Sequence, residues 1–518
     1  MDAIELEVLW QSVISTVNEQ AKALQRSAFS PIVREAGDLA NALFDRRGRM
    51  VAQAVTGTPG HINSLAVAAG AILEEYPLDT IDPGDVLITN DPYKTAGQLL
   101  DVTVLVPAWR RENIVGFFGS TIHHTDVGGY GIGAGARDVF EEGLWIPICK
   151  LMKRHIRNDD VWKFVLSNVR EPEHMAGDLH AQMASGEIGA ARLNHLLDAH
   201  NLDDVEALGD EIIRRSEEAT RRAIRALPGG TFRSQSTLDL ADGSQIEICC
   251  AVTVDPDKGE ILVDYAGSSG ASPAGINVVK NYTHAYTTFT IRSVLNPDVP
   301  NNYGSLAPIR VEAPEGSIVN AISPAPCTAR HVVGMFLPMP LLQALAQFLP
   351  DSVIAEGAGA VWTCQVSGTR DDGRPFITSM FNYAGGVGAR ARKPGLSATA
   401  YPTGVAAVPV EVVESTAPLV FLRKELRPGS AGGGEQSGGL GQVIEFTVDN
   451  GRDWTLNAVT SRLAFPPQGL FGGGEGAAGS FLVNDEPVRT QKRIDLHAGD
   501  FVRLELPGGG GYGGDEQC

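Results

Sequence analysis

Three short apolar segments decide the fold: Gly-Asp-Val-Leu-Ile-Thr at residues 84–89, Val-Thr-Val-Leu-Val-Pro at 102–107 and Ile-Val-Gly-Phe-Phe-Gly at 114–119. They are rich in β-branched and aromatic residues, and glycine, aspartate and asparagine lie between them, which is the pattern of strands joined by tight turns. All three lie within residues 35–150, where most of the polar side chains of chemical interest also lie. We therefore predict a strand-rich region that carries the active site.

Helical patterns flank this region. Apolar residues recur every three or four positions over residues 4–27, and a similar pattern over 205–226 closes a helical stretch from 160 to 226. That stretch ends before Pro228-Gly229-Gly230, a usual helix terminator. The apolar stripe of the N-terminal helix indicates either core packing or an interface with a partner protein.

The rest of the chain mixes both element types. Apolar residues on either side of Asp255-Pro-Asp-Lys-Gly259 predict a hairpin over 246–264, a second helical stretch covers about 329–349, and 380–518 combines glycine with short strands. We predict a mixed α/β (α+β) fold in three parts. These are an N-terminal domain at 1–228 with the candidate active site, a middle mixed α/β domain at 229–400, and a Gly-rich, β-rich region at 401–518.

Composition excludes several classes of protein. The chain has 62 acidic and 42 basic residues in 518, a net charge of −20, which gives no bulk attraction to nucleic acid or anionic membranes. We find no apolar run of roughly 18 residues and no basic, apolar signal segment at the N-terminus. The six cysteines are scattered without a C-x-x-C pair, which favours reduced thiols. We therefore expect a cytoplasmic protein that binds neither nucleic acid nor membranes.

The glycine-rich segments do not predict a nucleotide site. Gly474-Glu-Gly476-Ala-Ala-Gly479 has dinucleotide-fingerprint spacing, but it follows Pro466-Pro467 and precedes a strand-like Ser-Phe-Leu-Val. The fingerprint must instead follow a strand and open a helix. The chain also lacks the P-loop pattern G-x-x-x-x-G-K-[ST] and the nucleophile elbow G-x-S-x-G. We interpret most of these glycines as structural turns.

The candidate site residues lie between positions 38 and 142. Carboxylates and imidazoles from separate loops are the usual components of a hydrolytic metal site, although the same side chains also form hydrogen-bonded turns. Cys327 precedes His331 by four residues without a third partner, so a cysteine nucleophile is not favoured. The candidates are Asp38, His61, Asp91, Asp101, His123, His124, Asp126 and Glu142.

Several motifs follow one another in a recognisable order. They are Asn90-Asp91-Pro92-Tyr93, His123-His124-Thr-Asp126-Val-Gly-Gly129, Glu142-Gly143-Leu144-Trp-Ile-Pro147, Asn281-Tyr282, Pro297-Asp-Val-Pro-Asn-Asn302, Pro324-Ala-Pro326, Glu425-Leu-Arg427-Pro428 and the closing Leu506-Pro507 with its glycines to Tyr512. Over essentially the whole chain this pattern resembles the hydantoinase B/oxoprolinase family. That family includes the B-type components of ATP-dependent hydantoinase, 5-oxoprolinase and caprolactamase, and components of acetone and acetophenone carboxylases.

The resemblance implies a hetero-oligomer in which two components carry out different steps of one reaction. An A-type partner of the actin-like ATPase superfamily (hydantoinase A/oxoprolinase) would bind ATP and phosphorylate an unreactive amide or carbonyl oxygen, and this chain would complete the reaction. Three functions follow: hydrolysis of a cyclic amide such as a hydantoin, lactam or oxoproline-like ring, carboxylation of a ketone, or non-catalytic docking. In the first, the expected catalytic residues are His61, Asp91, His124, Asp126 and Glu142.

The resemblance also implies a divalent metal, zinc or manganese. The family motif is His-x-x-Asp, a histidine about 22 residues later and an upstream aspartate. Its aspartate corresponds here to Asp101, the later histidine to His123 or His124, and the upstream acid to Asp38. Gln98 stands where the first histidine is expected, and a neutral amide oxygen is a weaker ligand. Three alternatives follow. Gln98 binds the metal more weakly than a histidine does, His61 supplies the missing nitrogen ligand, or the polar residues hold substrate without a metal.

A second departure from the family lies in the glycine-rich segment. Gly434-Glu435-Gln436-Ser437-Gly438 stands where relatives carry a basic residue and a tyrosine between glycines. If that loop meets a phosphate in relatives, the lost positive charge weakens the contact. Both departures indicate a divergent substrate or the carboxylase-like branch.

Overall fold

The computed structural model describes residues 3–55, 57–490 and 492–514. Within them, α-helices and antiparallel or mixed sheets alternate along the chain, and the strands form four sheets. This architecture confirms the predicted mixed α/β fold class.

A seven-stranded antiparallel sheet forms the centre of the N-terminal part, with strand order β2-β1-β5-β4-β3-β6-β7. The three segments that decided the fold lie in β3, β4 and β5, as predicted. The strands are β1 (Leu39–Phe44), β2 (Met50–Gln53), β3 (Val86–Thr89), β4 (Asp101–Arg110), β5 (Asn113–His123), β6 (Cys149–Lys153) and β7 (Ile156–Arg157).

Helices cover both faces of this sheet. Helices α1 (Ala3–Ser27) and α6 (Pro172–Ala199) pack on one face, and α3 (Pro59–Glu75) packs on the other. Because both faces are buried, the strands read as continuous apolar runs. The apolar stripe of α1 is buried, so this helix packs on the body of the protein. Helix α3 was not predicted from the sequence. The other helices of this part are α2 (Pro31–Arg34), α4 (Val139–Glu142), α5 (Asp159–Ser167) and α7 (Glu206–Arg225).

The middle part contains a four-stranded sheet of order β11-β10-β9-β8, in which β10 and β11 are parallel. Strands β9 and β10 form the predicted hairpin, and α10 and α11 occupy the predicted helical stretch, whereas α8 was not predicted. The elements are β8 (Gly230–Asp239), β9 (Gln245–Asp255), β10 (Glu260–Asp264), α8 (Lys280–Leu295), α9 (Tyr303–Leu306), β11 (Ile309–Glu312), α10 (His331–Gly334) and α11 (Pro338–Ala346).

Two further sheets, of order β13-β12-β16-β19 and β14-β15-β20-β17-β18, contain the remaining strands. Strands β12 (Trp362–Thr369) and β13 (Pro375–Tyr383) come from the end of the middle part, so the first of these sheets joins the middle and C-terminal parts. The elements of the C-terminal part are α12 (Val410–Thr416), β14 (Leu419–Leu426), β15 (Gln442–Val448), β16 (Trp454–Val459), β17 (Ser480–Val483), β18 (Glu486–Pro487), β19 (Ile494–Leu496) and β20 (Phe501–Glu505). Short 3-10 turns lie at Leu78–Thr80 and Pro350–Ser352.

The glycine-rich segments lie side by side in this part, backbone against backbone. A Cβ placed on Gly438 would lie 1.9 Å from the carbonyl oxygen of Gly509, so only glycine permits this approach. Residues 474–479 lead into strand β17 rather than a helix. Their role is structural, as predicted.

The parts share their hydrophobic cores. One cluster joins apolar residues of the first 228 residues, of strands β12 and β13 and of residues 401–518. A second consists mostly of residues of the middle part, and a third lies between α3 and the seven-stranded sheet. The proposed boundaries near residues 228 and 400 stay a prediction. None of the helices in the described ranges has the length and apolar character needed to cross a bilayer.

Candidate active site

Three of the predicted residues meet at one end of the seven-stranded sheet. Strands β1, β5 and β4 are neighbours, and their register places Asp101 directly opposite His123. Asp38 immediately precedes β1, and its carbonyl oxygen accepts a hydrogen bond from the backbone N–H of His123 at 3.3 Å. Sheet register therefore brings together side chains that lie far apart in sequence.

Asp101 is the centre of this group and is fully buried. Its Oδ1 accepts a hydrogen bond from Gln98 Nε2 at 2.7 Å and lies 3.0 Å from His123 Nδ1. Its Oδ2 lies 2.9 Å from His61 Nε2 and accepts a hydrogen bond from the Arg330 guanidinium. Burial raises the pKa of the Asp101 carboxyl, but the charges of His61 and Arg330 outweigh burial and hold that pKa well below its usual value. Asp101 is therefore ionised at neutral pH.

His61 lies between two carboxylates on the first turn of α3. Besides its contact with Asp101, its Nδ1 lies 3.2 Å from Asp38 Oδ1. Burial lowers the pKa of the imidazole, but Asp101 and Asp38 outweigh burial, so the net pKa of His61 is raised. We refer to Asp38, His61, Asp101 and His123 as the acid–imidazole cluster. It can hold and move a proton near neutral pH.

Arg330, which was not predicted from the sequence, completes the cluster. It immediately precedes α10, lies 229 residues from Asp101 and is buried. Its guanidinium lies over the Tyr282 ring, 4.1 Å from the ring centroid, and its Nε donates to the carbonyl oxygen of Ala96. The motif Pro324-Ala-Pro326 was noted, but the arginine four residues beyond it was not, although a lone basic residue beside an apolar helix is a usable signal.

A small cavity opens beside the cluster. Its volume of about 30 Å³ is enough for a water molecule. His331 also lines it, and burial together with the Arg330 charge lowers the pKa of that imidazole to about 3. The polar side chains around this space are Asp38, His61, Gln98, His123, Arg330 and His331.

His124 and Asp126 face away from this cavity. Strand β5 ends at His123, whose side chain faces the cluster. His124 instead lies 3.4 Å, through Nε2, from Gln182 Oε1 on α6. Asp126 accepts hydrogen bonds from the backbone N–H of Gly128 and from Arg170, which makes it a structural link between two loops.

Asp91 and Glu142 also lie outside the cavity lining. Asp91 Oδ1 accepts a hydrogen bond from the Tyr93 N–H at 3.0 Å, as a turn-forming aspartate does. Glu142 Oε1 accepts from the N–H groups of Cys327 and Thr328 at 2.6 and 2.7 Å, and so supports the loop that leads to Arg330. Burial raises the Glu142 pKa to about 7.

The arrangement does not fit a divalent metal on Asp101. Both carboxylate oxygens are engaged, one of them with the permanently charged Arg330, and a second cation there would be repelled. Among the residues that the structure describes, no three His, Cys, Asp or Glu side chains are grouped to hold a metal ion. Metal binding at Asp38, Asp101 and His123 stays a prediction, and the geometry favours the alternative in which these residues hold substrate.

The family profile and the related proteins that match this chain agree on one family. The sequence profile described as Hydantoinase B/oxoprolinase matches residues 2–515. The chain is 31% identical to the B-type component of a putative D-/L-hydantoinase of Pseudomonas sp. (strain NS671), covering 99% of this chain and 90% of that protein. It is 26% identical to 5-oxoprolinase 1 of Arabidopsis thaliana, and there it spans only 42% of the longer protein.

Solved structures share the fold. ATP-dependent caprolactamase from Pseudomonas jessenii superposes with a TM-score of 0.90 at 24% identity, covering 99% of this chain and 91% of that one. Nucleotide-free acetone carboxylase superposes with a TM-score of 0.89 at 19% identity, covering 99% and 76%.

Proposed function

We propose, since this chain belongs to the hydantoinase B/oxoprolinase family, that it is the B-type catalytic subunit of an ATP-dependent cyclic amide hydrolase. Two relatives are named as single components of larger enzymes, one of a hydantoinase and one of a caprolactamase, and these names support a heteromeric enzyme. The partner that we propose is an A-type ATPase, which phosphorylates the amide oxygen of a hydantoin, lactam or oxoproline-like ring. The cytoplasm as its location stays a prediction.

The observation that carries the proposal is His61, held between Asp38 and Asp101 at the edge of a cavity that accommodates a water molecule. Water adds to the activated carbon and gives up a proton to Asp38, which lines the same cavity beside His61. His61, with its raised pKa, protonates the ring nitrogen and is reprotonated by Asp38, so one proton of the water reaches the nitrogen in this way. The added hydroxyl gives its remaining proton to the same nitrogen as the acyl carbonyl forms, and the C–N bond breaks. A second water molecule hydrolyses the acyl phosphate that remains.

Arg330 and Gln98 have supporting roles in this reaction. Both bind Asp101 directly, so Asp101 stays ionised and keeps the His61 ring in one orientation. The positive charge of Arg330 also lines the cavity, where it favours the negative oxygen that develops as water attacks.

Product analysis separates hydrolysis from carboxylation. The chain is co-purified with its A-type partner and incubated with ATP and hydantoin, 5-oxoproline or caprolactam, in parallel with a ketone and labelled bicarbonate. We expect a ring-opened acid, with ATP consumed and no label in the product. Labelled 3-keto acid without ring opening would establish the carboxylase alternative, and no ATP-dependent product from either set would favour docking.

A further inference from the structure

A larger cavity adjoins the one at the acid–imidazole cluster. Its volume is about 770 Å³, within the range of small-molecule binding sites, and Thr58 and Thr403 line both spaces. Thr58 directly precedes the helix that carries His61. A molecule held in this larger space would therefore lie beside the cluster.

Arg292 of α8 is the basic side chain that lines this space among the described residues. Its Nη1 donates to Asn301 Oδ1 at 2.8 Å and its Nη2 to the carbonyl oxygen of Val299, both neutral acceptors. Its Nε is buried and, in the described ranges, has no hydrogen-bond partner. Exposed Asp298 also lines the cavity, but within those ranges it forms no ion pair with Arg292.

Surrounding amides hold Arg292 in place. Asn301 Nδ2 donates to Gln53 Oε1 at 2.6 Å and to Asn63 Oδ1 at 2.8 Å, which turns Asn301 Oδ1 towards the guanidinium. Burial without an acidic neighbour lowers the Arg292 pKa to about 10, so the group stays protonated at neutral pH. A half-buried cation without a countercharge is costly, and a bound anion would offset that cost.

The other walls are suited to a small organic molecule. The rings of Phe289 and Tyr401, with centroids 6.4 Å apart, and the side chain of Ile62 add apolar surface to the lining of the cavity. An apolar body with one oxyanion matches this lining. In a chain with a net charge of −20, such a site selects an anion by local geometry and not by overall charge.

We propose that this Arg292 cavity binds the oxyanion of the substrate, namely the carboxylate of a carboxylate-bearing cyclic amide, and so presents the ring to the acid–imidazole cluster. The proposal rests on the proposed function for the identity of the ring. The same guanidinium chemistry accepts a phosphate oxyanion, so the experiment includes both sources.

Binding to the purified full chain, without ATP or partner, tests the proposal. Calorimetry compares 5-oxoproline with 2-pyrrolidinone, the same lactam without the carboxylate, and with inorganic phosphate. We expect 5-oxoproline to bind at least tenfold more tightly than 2-pyrrolidinone, and Arg292→Gln to abolish the difference. Arg310→Gln, at an exposed arginine on β11, is the matched control and should bind as wild type does.

A second variant keeps the test decisive if Arg292→Gln does not fold. Ser293→Glu puts a carboxylate on the exposed rim of the same cavity and is expected to weaken anion binding by a similar factor. If phosphate binds in an Arg292-dependent way and 5-oxoproline does not, the anion site is kept and we assign it to the phosphoryl group. The proposal is overturned if both lactams bind with equal affinity and phosphate binds equally well to wild type and to Arg292→Gln. Because the assay needs no turnover, its outcome is independent of the proposed reaction.

Discussion

Glu142→Gln is expected to remove a pH-dependent loss of stability. Burial raises the pKa of Glu142 from 4.5 to about 7, although Cys327 and Thr328 donate backbone hydrogen bonds to it. A carboxyl with a raised folded-state pKa binds more protons in the folded than in the unfolded chain between pH 4.5 and 7. Folding stability therefore falls as the pH rises through this window.

The size of the effect follows from the shift. The two pKa values differ by roughly 2.5 units, and each unit corresponds to ~1.36 kcal/mol, so wild type should lose about 3 kcal/mol relative to the variant between pH 4.5 and 8. Glutamine keeps an oxygen for the two backbone donors. Its amide N–H₂ replaces Oε2, which has no partner among the described residues, and this adds a cost of ~1–2 kcal/mol that does not vary with pH.

Urea unfolding of wild type and Glu142→Gln at pH 5, 6, 7 and 8 measures the difference. Glu141→Gln is the matched control, because Glu141 is the neighbouring residue on the same helix, pairs with Arg137 and is partly exposed to solvent. We expect only Glu142→Gln to flatten the pH profile. Parallel profiles for wild type and Glu142→Gln over this range would refute the reasoning and mean that Glu142 is ionised in the folded chain.

Three further predictions concern the loop at 327–330 and the metal motif. Arg330→Gln should lower the free energy of unfolding by about 3–5 kcal/mol, because it leaves Asp101 buried without its cation, and adding Asp101→Asn should recover part of the loss in a denaturant double-mutant cycle. Cys327→Ser should leave turnover unchanged and stability within about 1 kcal/mol, because a serine hydroxyl replaces the buried thiol as donor to the carbonyl oxygen of Ala325 at 3.2 Å; loss of turnover in the folded variant would revive a nucleophilic cysteine. Elemental analysis should find well under one zinc or manganese per chain in wild type and in Gln98→His, because Arg330 stays paired with Asp101 in both; one metal per wild-type chain would contradict the geometry at Asp101.

Local patterns in the sequence predicted the large elements well. The stripe of α1, the apolar runs of β3 to β5 and the hairpin at 255–259 depend on neighbouring residues, so their signals are contained in short windows. Helix α3 was missed because Gly60 and small residues mask its periodicity, and Gly60 is required where the Tyr282 ring would lie 2.3 Å from a Cβ. That requirement comes from packing and is not visible in one segment.

The candidate site was predicted only in part, for a similar reason. The motif spacing indicated Asp101 and His123, and sheet register brings them together. Arg330 comes from the middle part of the chain, and only the tertiary fold places it on Asp101.

The most direct test of the account is ATP-dependent ring opening by the complex with the A-type partner, measured for His61→Gln beside wild type. The control is His497→Gln, at a histidine that is 82% exposed and far from the cluster in the sequence. We predict that His61→Gln lowers kcat at least ~100-fold while the complex still assembles and His497→Gln stays active. Full turnover by a folded His61→Gln complex would contradict the assignment of the acid–imidazole cluster as the catalytic centre.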